Sequence, residues 1–333
     1  AGMTASKIAA IVPRCTELCP SYEVRFRHDN ALLHPLEKDF DVRLVKEYTR
    51  PAAGCDHGNP DLLRTPEALL RAVDYLLEVY ERDDLPFGLR FSFVEDRLRA
   101  VRQDSTITRI SGEVALTIFE KQISFAIRSE YRARSERSKA FEAKLHATAA
   151  EECFQRWSRL LSETDEATRA EWLAAGPSDL RRQVAAVHCL KRADEQEAIV
   201  MAIEHRWIMG RDLFETVFDL LLSYREGNSH RFFRRLSFLP LSSLLRPACV
   251  GILPRLRLTA LTTMAKAFKA PNIKLPLSVC GAWLGYSHDS TTRFLKVAGV
   301  TIEEGDCIVP GKMGVERVEK TDRNEPVLIC VDL

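Results

Sequence analysis

The 333-residue sequence predicts a mostly α-helical fold, a helical-repeat superhelix followed by a C-terminal winged-helix domain. Three observations lead to this prediction. From Pro66 onward, apolar residues recur at helical spacing in one segment after another. Short connections join these segments, which favours antiparallel helix pairs stacked side by side. After about Arg255 the order changes to three helices followed by short β-prone stretches, which is the order of a winged helix.

The N-terminal sixty residues are predicted to be an irregular segment that packs on the repeats. Prolines interrupt this segment at five positions, which are Pro13, Pro20, Pro35, Pro51 and Pro60. Because proline lacks a backbone donor and clashes with the preceding helical turn, room is left for one short helix, around Asp41 to Thr49. The predicted domains are therefore residues 1–62 (irregular), 63–254 (helical repeat) and 255–333 (winged helix).

The helices of the repeat domain follow from apolar stripes. A stripe from Leu69 to Tyr80 predicts the first helix, and a stripe from Phe91 to Val101 predicts the second. The Gly176-Pro177 pair is a clear helix breaker. Around it, six further helices are predicted at 111–134, 140–162, 179–192, 194–209, 212–224 and 229–236.

The C-terminal domain is predicted to contain three helices, two or three strands and a polar wing. Its helices run from Arg257 to Phe268, from Pro276 to Gly285, and from an Asp289 cap to Gly299. The strands are expected at 300–302, 307–309 and 327–331, with a polar hairpin between the last two. In DNA-binding versions of this fold, the third helix enters a groove.

Charge is distributed unevenly along the chain. There are 48 basic and 47 acidic residues, a formal net charge of +1. Yet no Asp or Glu occurs between Gly227 and His288, a stretch that we call the acid-free window. Its nine basic residues are Arg231, Arg234, Arg235, Arg246, Arg255, Arg257, Lys266, Lys269 and Lys274. Such an asymmetry indicates a polyanionic partner, which is nucleic acid, an acidic protein or a membrane surface.

Several classes of protein are disfavoured. The sequence lacks the phosphate-loop, dinucleotide-binding, zinc-protease and serine-hydrolase motifs, so no catalytic residue and no cofactor are predicted. Among nine scattered cysteines only Cys15 and Cys19 are close together. Because structural zinc needs about four nitrogen or sulfur ligands, buried thiols are expected and no metal site is assigned. No run of about 18 apolar residues occurs, so no membrane-spanning helix is predicted.

Two arginine-rich segments permit both a structural and a functional interpretation. In residues 95–104, three arginines alternate with an apolar stripe. This pattern is typical of a core helix with solvated arginines, or of a ridge that contacts phosphates or a partner. In residues 231–235, arginines surround Phe232 and Phe233, which together with Phe238 would pack in a core or stack on bases.

Six segments resemble the Sac-three/GANP homology family in order and rough spacing. They are PRCTELCPSYEVRFR (13–27), VKEYTR (45–50), AVDYLL (72–77), VEDRLRAVRQD (94–104), GNSHRFFRRL (227–236) and LTALTTMAKAF (258–268). The string DRLRAVRQD is the most specific of them. The resemblance extends over roughly residues 12 to 310.

The resemblance implies a TPR/PCI-like helical-repeat domain that ends in a PCI-type winged helix. It also implies a non-enzymatic scaffold. Large members of the family organise the complex that couples transcription to mRNA export at nuclear pores. They pair through the winged helix with a second PCI-domain protein and with a small acidic Sem/DSS-type protein, and the paired winged helices form a basic nucleic-acid-binding surface. A hetero-oligomer rather than a homo-oligomer is therefore expected.

The chain lacks the Phe-Gly repeats, the acetyltransferase-like region and the long C-terminal helix of the large members. It thus resembles the short, stand-alone branch, the Sac-three-domain-containing protein one type, which is linked with centrosome duplication and the spindle. Two functions follow from these resemblances. One is a scaffold of a TREX-like mRNA export or processing complex that binds RNA or other single-stranded nucleic acid. The other is a centrosome or spindle adaptor that works without nucleic acid. The expected locations are the nucleus and cytoplasm, with the centrosome or spindle for the adaptor.

The two functions use the basic residues differently. The predicted phosphate-contacting residues are Arg255, Arg257, Lys266, Lys269, Lys274, Arg293, Lys296 and Lys312. The predicted partner interface consists of Trp283, Leu284, Tyr286, Arg231, Arg234 and Arg235. Residues 303–333 contain four basic and eight acidic residues, so phosphate contacts are expected mainly from the helices rather than from the wing.

Overall fold

The computed structural model describes residues 11–50, 59–136, 138–270, 272–303 and 305–313. Within these ranges the chain forms sixteen α-helices and one small sheet, which confirms the predicted mostly helical class. None of the helices in these ranges is long and apolar enough to cross a bilayer. Internal contacts divide the chain into a first unit, residues 1–126 with 138–169, and a second unit, residues 127–137 with 170–333.

The first unit is built mainly on long helices. Its helices are α1 (Ser21–Asp29), α2 (Pro35–Asp39), α3 (Pro66–Glu81), α4 (Phe87–Ile107), most of α5 (Gly112–Ser135), α6 (Ala143–Glu163) and the start of α7 (Glu166–Ala175). The apolar stripes that predicted α3 and α4 are buried, as the complete burial of Leu69, Leu76, Phe91 and Val94 shows. Aromatic packing extends this core, since Tyr80 contacts Phe125 edge to face at a centroid distance of 5.0 Å.

The predicted helix at Asp41–Thr49 is wrong, because this stretch has no regular secondary structure. Its backbone N–H groups donate to acceptors on other parts of the unit rather than to the preceding turn. Those of Glu47 and Tyr48 donate to the carboxylates of Glu23 on α1 and Asp96 on α4, at 2.9 and 3.3 Å. Helices of this segment begin instead at two of its prolines.

Two of the N-terminal prolines begin helices rather than interrupt them. Pro20 is the N-cap residue of α1, and Pro35 is the first residue of α2. Proline is favoured at the first helical position, because its missing N–H would have no intrahelical partner there. A capping box completes the start of α2, in which His34 accepts from the backbone of Leu36 and Glu37 accepts from the backbone of His34.

A row of buried charged residues runs along α4. Arg90, Arg97 and Asp104 are spaced by seven residues, which places them on one face of the helix, and all three are buried. Asp104 bonds the Nζ of Lys46 through Oδ1 at 2.7 Å and the Nε of Arg64 through Oδ2 at 2.8 Å. Asp104 and its two partners therefore hold the segment before α3 against α4, and we call this group the Asp104 hub.

The arginines of the sequence segment 95–104 have structural roles in the first unit. Arg97 pairs with Asp96 at 2.9 Å and lies within 3.5–3.6 Å of carboxylate oxygens of Glu47 and Glu37. The guanidinium of Arg99 covers the ring of Tyr48 at 3.8 Å. Arg97 thus binds the N-terminal segment from a buried position, whereas Arg99 contacts it from the exposed surface. The interpretation of α4 as a core helix with solvated arginines therefore holds for Arg99 and is wrong for Arg97.

The helices of the second unit are mostly shorter. After the end of α5 and most of α7 come α8 (Asp179–Lys191), α9 (Glu197–Glu204), α10 (Arg206–Met209), α11 (Arg211–Arg225), α12 (Ser229–Ser237) and α13 (Leu245–Ala248). The single helix predicted at 194–209 is divided at His205 into α9 and α10. Neither α7 nor α13 was predicted. Because no residue of α7 is buried, it has no apolar stripe that would reveal it.

The last part of the second unit combines three helices with a small antiparallel sheet. Its elements are α14 (Leu253–Ala267), β1 (Leu275–Pro276), α15 (Leu277–Leu284), α16 (His288–Val297), β2 (Ile302–Glu303) and β3 (Cys307–Ile308). The strand order is β1-β3-β2, and Ile308 of β3 is paired with both Leu275 and Ile302. Met264, Leu295 and Ile308 are fully buried in the apolar core that these helices and strands share.

Two details of this part differ from the sequence prediction, and one lies outside the described residues. Strand β1 was not predicted, because two residues that include a proline carry no strand pattern. The N-cap of α16 is Ser287, which accepts from the backbone of Ser290, whereas Asp289 lies exposed in the first turn. The predicted strand at 327–331 and most of the polar hairpin, including Gly314 and Asn324, lie outside the described residues.

We expect Gly285→Ala to lower the free energy of unfolding by about 2–3 kcal/mol. Gly285 follows α15 with φ of +67°, and an added Cβ would lie 2.1 Å from Cδ1 of the buried Phe233. Denaturant titration measures the loss. The control is Gly176→Ala, which also has a positive φ (+77°) but no atom within 4 Å of its added Cβ. This control should lose only about 1 kcal/mol. Equal losses in the two variants would contradict a steric role for Phe233.

Candidate nucleic-acid interface

Carboxylates outside the acid-free window neutralise several of its arginines. Arg231 and Arg235 of α12 both pair with Asp219 of α11. At the start of α14, Arg255 bonds Asp194 at 2.5 Å. Arg246 binds backbone carbonyls, since its Nε donates to the carbonyl of Leu239 at 3.0 Å. The positive charge at the surface is therefore smaller than the sequence suggests.

Arg257 and Leu284 are core residues rather than surface residues. Arg257 is 4% exposed, its Nε donates to the carbonyl oxygen of Leu284 at 2.9 Å, and Leu284 itself is fully buried. The guanidinium of Arg257 lies 3.8 Å from the ring centre of Tyr286 and 5.4 Å from that of Phe233. Cation–π contacts of this kind are strongest when they are removed from water. The phosphate contact predicted for Arg257 and the interface predicted for Leu284 are corrected on this basis.

The aromatic residues of the predicted interface are also used for internal packing. Trp283 is half-buried, with its ring 6.1 Å from that of Phe268. Tyr286 is half-buried, with its ring 5.3 Å from that of Phe294. Phe232 and Phe233 on α12 are buried, which supports core packing over base stacking. Phe238, which the sequence groups with these two residues, is instead exposed in the loop after α12, as is Leu241, which no periodic pattern revealed.

A second group of basic residues shares one carboxylate. Lys274 precedes β1 and Lys312 lies in the 3₁₀ turn Pro310–Lys312, after β3. Their Nζ atoms lie 3.2 and 2.7 Å from the two oxygens of Glu303 on β2. These two contacts lower the pKa of Glu303, whose hydrogen bonds with the lysines favour its ionised form. Two basic residues predicted from the sequence, Lys274 and Lys312, thus converge on the carboxylate of Glu303.

The remaining basic residues are exposed and have no ion-pair partner among the described residues. They are Arg234 on α12, Lys266 and Lys269 at the C-terminal end of α14, and Arg293 and Lys296 on α16. On α16, Thr291 and Leu295 are buried, and Arg293 and Lys296 lie on the opposite face. Cations without a carboxylate partner are free to replace the counterions of a phosphate backbone.

The exposed face of α14 connects parts of this basic surface. Arg255, Thr259, Thr263 and Lys266 are all exposed and lie within about one quarter of the helix circumference, along a length of about 16 Å. No acidic residue occurs on this helix. The face therefore runs from the neutralised Arg255 to Lys266 and the following Lys269.

The C-terminal end of α14 lies against the 3₁₀ turn that contains Lys312. A Cβ added to Gly311 would lie only 2.3 Å from the carbonyl oxygen of Lys269, so the two backbones are in close contact. Lys269 and Lys312 are consequently neighbours, and Glu303 links Lys312 to Lys274. The structure therefore brings together Lys269, Lys274 and Lys312 from three separate parts of the sequence.

The two closely spaced cysteines lie in the first unit and are both buried. Cys15 is fixed beside Arg64 by backbone hydrogen bonds to Leu63 and from Thr65, at 3.0 and 2.9 Å. Burial raises the pKa of the Cys15 and Cys19 thiols, which disfavours the thiolate that a metal ion requires. Among the described residues, no group of three or more His, Cys, Asp or Glu side chains could hold a metal ion.

Comparison with known proteins gives one family and two informative relatives. The model of the SAC3/GANP family matches residues 18–304. Protein xmas of Drosophila melanogaster is 24% identical over 335 residues, which cover 92% of this chain and 15% of that protein. SAC3 family protein 1 of Schizosaccharomyces pombe is 35% identical over 116 residues, which cover 33% of this chain and 11% of that protein. The chain thus spans a small part of the length of these relatives.

Proposed function

The chain belongs to the SAC3/GANP family, and on this premise we propose that it is a scaffold of an mRNA export or processing complex that binds single-stranded RNA. The family predicted from six sequence segments is thereby confirmed. It is a family of non-enzymatic scaffolds related to mRNA export. One observation carries the proposal of RNA binding, namely the exposed cations Lys266, Lys269, Arg293 and Lys296, which have no ion-pair partner among the described residues.

We propose that the last part of the chain is a PCI-type winged helix within the domain 255–333. The element order α14-β1-α15-α16-β2-β3 and the sheet order β1-β3-β2 support this assignment. In that fold, α16 would be the third helix, the one that meets nucleic acid in the DNA-binding versions. The exposed side chains of Arg293 and Lys296 on α16 agree with such a role.

Binding is proposed to be independent of base sequence and directed at single strands. Lysine and arginine side chains that contact phosphates position a nucleic acid but do not read its bases. Residues 303–333, which would form the wing, contain twice as many acidic as basic residues, which disfavours close approach of a duplex. A flexible single strand can instead follow the exposed face of α14 towards α16.

A PCI-domain protein and a small acidic Sem/DSS-type protein are proposed as partners. The exposed Arg234 and the exposed apolar side chains of Phe238 and Leu241 support a protein interface near α12. An acidic partner would complement the acid-free window. The centrosome or spindle adaptor, the assignment to the short branch of the family and the cellular locations stay predictions from the sequence.

We expect the fourfold variant Lys266→Glu, Lys269→Glu, Arg293→Glu and Lys296→Glu to bind a 20-nucleotide oligo(U) about 100-fold more weakly than the wild type. Loss of four phosphate contacts should also make the dependence of log K on log salt shallower by about 2.8, since each contact contributes about 0.7 for single strands. Fluorescence anisotropy at 50–200 mM KCl measures both quantities.

The matched control reverses four exposed basic residues of the first unit, namely Arg25, Lys38, Lys139 and Lys144. It changes the total charge equally, so general electrostatic attraction falls by the same amount. Only a modest loss of affinity is expected for it. Unchanged binding by the fourfold variant, or equal losses in both variants, would reject the proposed RNA interface.

A further inference from the structure

We propose that Glu303 is an internal competitor for phosphate, which withholds Lys274 and Lys312 from the RNA site. The inference rests on the proposed function and identifies a residue that limits it. A carboxylate between two lysines offers them a negative charge and acceptor oxygens, as a phosphate does. RNA must displace Glu303 before it can use either lysine, so the carboxylate sets how many cations the site provides.

The geometry of the three side chains supports this competition. Each oxygen of Glu303 serves one lysine, with Oε1 2.7 Å from Lys312 and Oε2 3.2 Å from Lys274. Both lysine side chains remain more than half exposed, whereas that of Glu303 is 27% exposed. The lysines thus face solvent while the carboxylate lies beneath them, which is the arrangement that a phosphate approaching from solvent would meet.

The paired lysines adjoin the unpaired cations of the proposed site. Lys312 follows Gly311, whose backbone contacts the carbonyl of Lys269 at the end of α14. Lys274 begins the connection into β1, which pairs with β3 next to β2. Release of the two lysines would therefore extend the row of cations at Lys266 and Lys269 rather than create a separate site.

The strength of the pairing suits a competitor that RNA can displace. Ion pairs between exposed side chains are weak and are screened by salt. The phosphates of an RNA strand that already contacts Lys269 can therefore replace the Glu303 carboxylate beside a lysine. Each replacement gains less binding free energy, because the contact between that lysine and Glu303 is lost. Removal of the carboxylate eliminates this cost and adds up to two phosphate contacts.

The test is Glu303→Gln, which keeps the size of the side chain and one acceptor oxygen but removes the charge. We expect this variant to bind oligo(U) about tenfold more tightly than the wild type at 50 mM KCl. Its dependence of log K on log salt should be steeper by about 1.4, which corresponds to two additional contacts on a single strand. A structural role of Glu303 alone would leave the salt dependence unchanged.

Two further variants make the result specific. Asp289→Asn changes the charge equally on α16, where Asp289 is 94% exposed and has no lysine or arginine partner among the described residues. We expect it to keep the salt dependence of the wild type. The triple variant Glu303→Gln, Lys274→Ala, Lys312→Ala should lose the steeper salt dependence, because it lacks the two released cations.

The outcomes separate this inference from the proposed function. If the wild type binds oligo(U), the fourfold variant does not, and Glu303→Gln behaves as the wild type, only the role of Glu303 is overturned. Equal gains for Glu303→Gln and Asp289→Asn would also overturn it, because the effect would be one of total charge. Absence of salt-dependent binding by the wild type would overturn both.

Discussion

Replacement of Asp104 by Ala is expected to lower the free energy of unfolding by about 3–5 kcal/mol. Asp104 and Arg64 are fully buried, and Lys46 is nearly so. Without the carboxylate, two cations would remain in the interior with no anion, and desolvation of an uncompensated charge is among the costliest changes in a protein core. The expected loss is a large part of the stability of a typical domain.

Denaturant titration measures this loss, and limited proteolysis locates it. Cleavage within residues 11–50 should appear in the variant under conditions in which the wild type is resistant, because the Asp104 hub holds this segment. Glu163→Ala is the control, since it removes one partner of the exposed Arg159–Glu163 pair. The control should cost less than about 0.5 kcal/mol. A loss below about 1 kcal/mol for Asp104→Ala would argue against the hub.

Replacement of Arg257 by Ala is expected to lower the free energy of unfolding by about 3–5 kcal/mol. The variant loses two cation–π contacts, worth about 2 kcal/mol when desolvated. It also leaves the buried carbonyl of Leu284 without this donor, at a cost of about 1–3 kcal/mol. A core role therefore predicts a stability defect, whereas the phosphate contact expected from the sequence predicts a binding defect in a stable protein.

Arg257→Met separates the two roles, because methionine fills much of the arginine volume without its charge. A core role predicts that this variant is less stable than the wild type and retains the salt dependence of oligo(U) binding once folded. The opposite result, wild-type stability with a salt dependence shallower by about 0.7, would return Arg257 to the RNA-contacting surface. Thermal unfolding and anisotropy on the same preparation give both readouts.

The sequence was informative where an apolar stripe alone decides the structure. Helices α5 and α6 were predicted within three residues at each end, and apolar stripes marked α3 and α4, because the stripes of these helices are buried. The row on α4 shows the limit of that approach. Arg90, Arg97 and Asp104 recur every seven residues, as apolar core residues do, but charged residue types suggested a solvated face. Whether a charge is buried depends on partners far along the chain, and Lys46 and Asp104 are 58 positions apart.

The same limit applies to the basic surface. The acid-free window located the positive region, yet it could not reveal which cations are neutralised. Asp194, Asp219 and Glu303 all lie outside the window in sequence and meet it only in the fold. Lys266, Lys269, Arg293 and Lys296 have no ion-pair partner in the described part of the chain, and they could be distinguished from the other cations only when these distant carboxylates had been placed.

The Asp104 hub also imposes an order of events during synthesis. Lys46 leaves the ribosome 58 residues before Asp104 does. At a synthesis rate of about 5–20 residues per second, Asp104 therefore emerges roughly 3–12 s after Lys46. During this interval the backbone of residues 41–50 has no acceptors from α4, and its apolar side chains have no core. During synthesis this segment is thus exposed before the helix that holds it has formed, and chaperones that bind emerging segments would protect it in that interval.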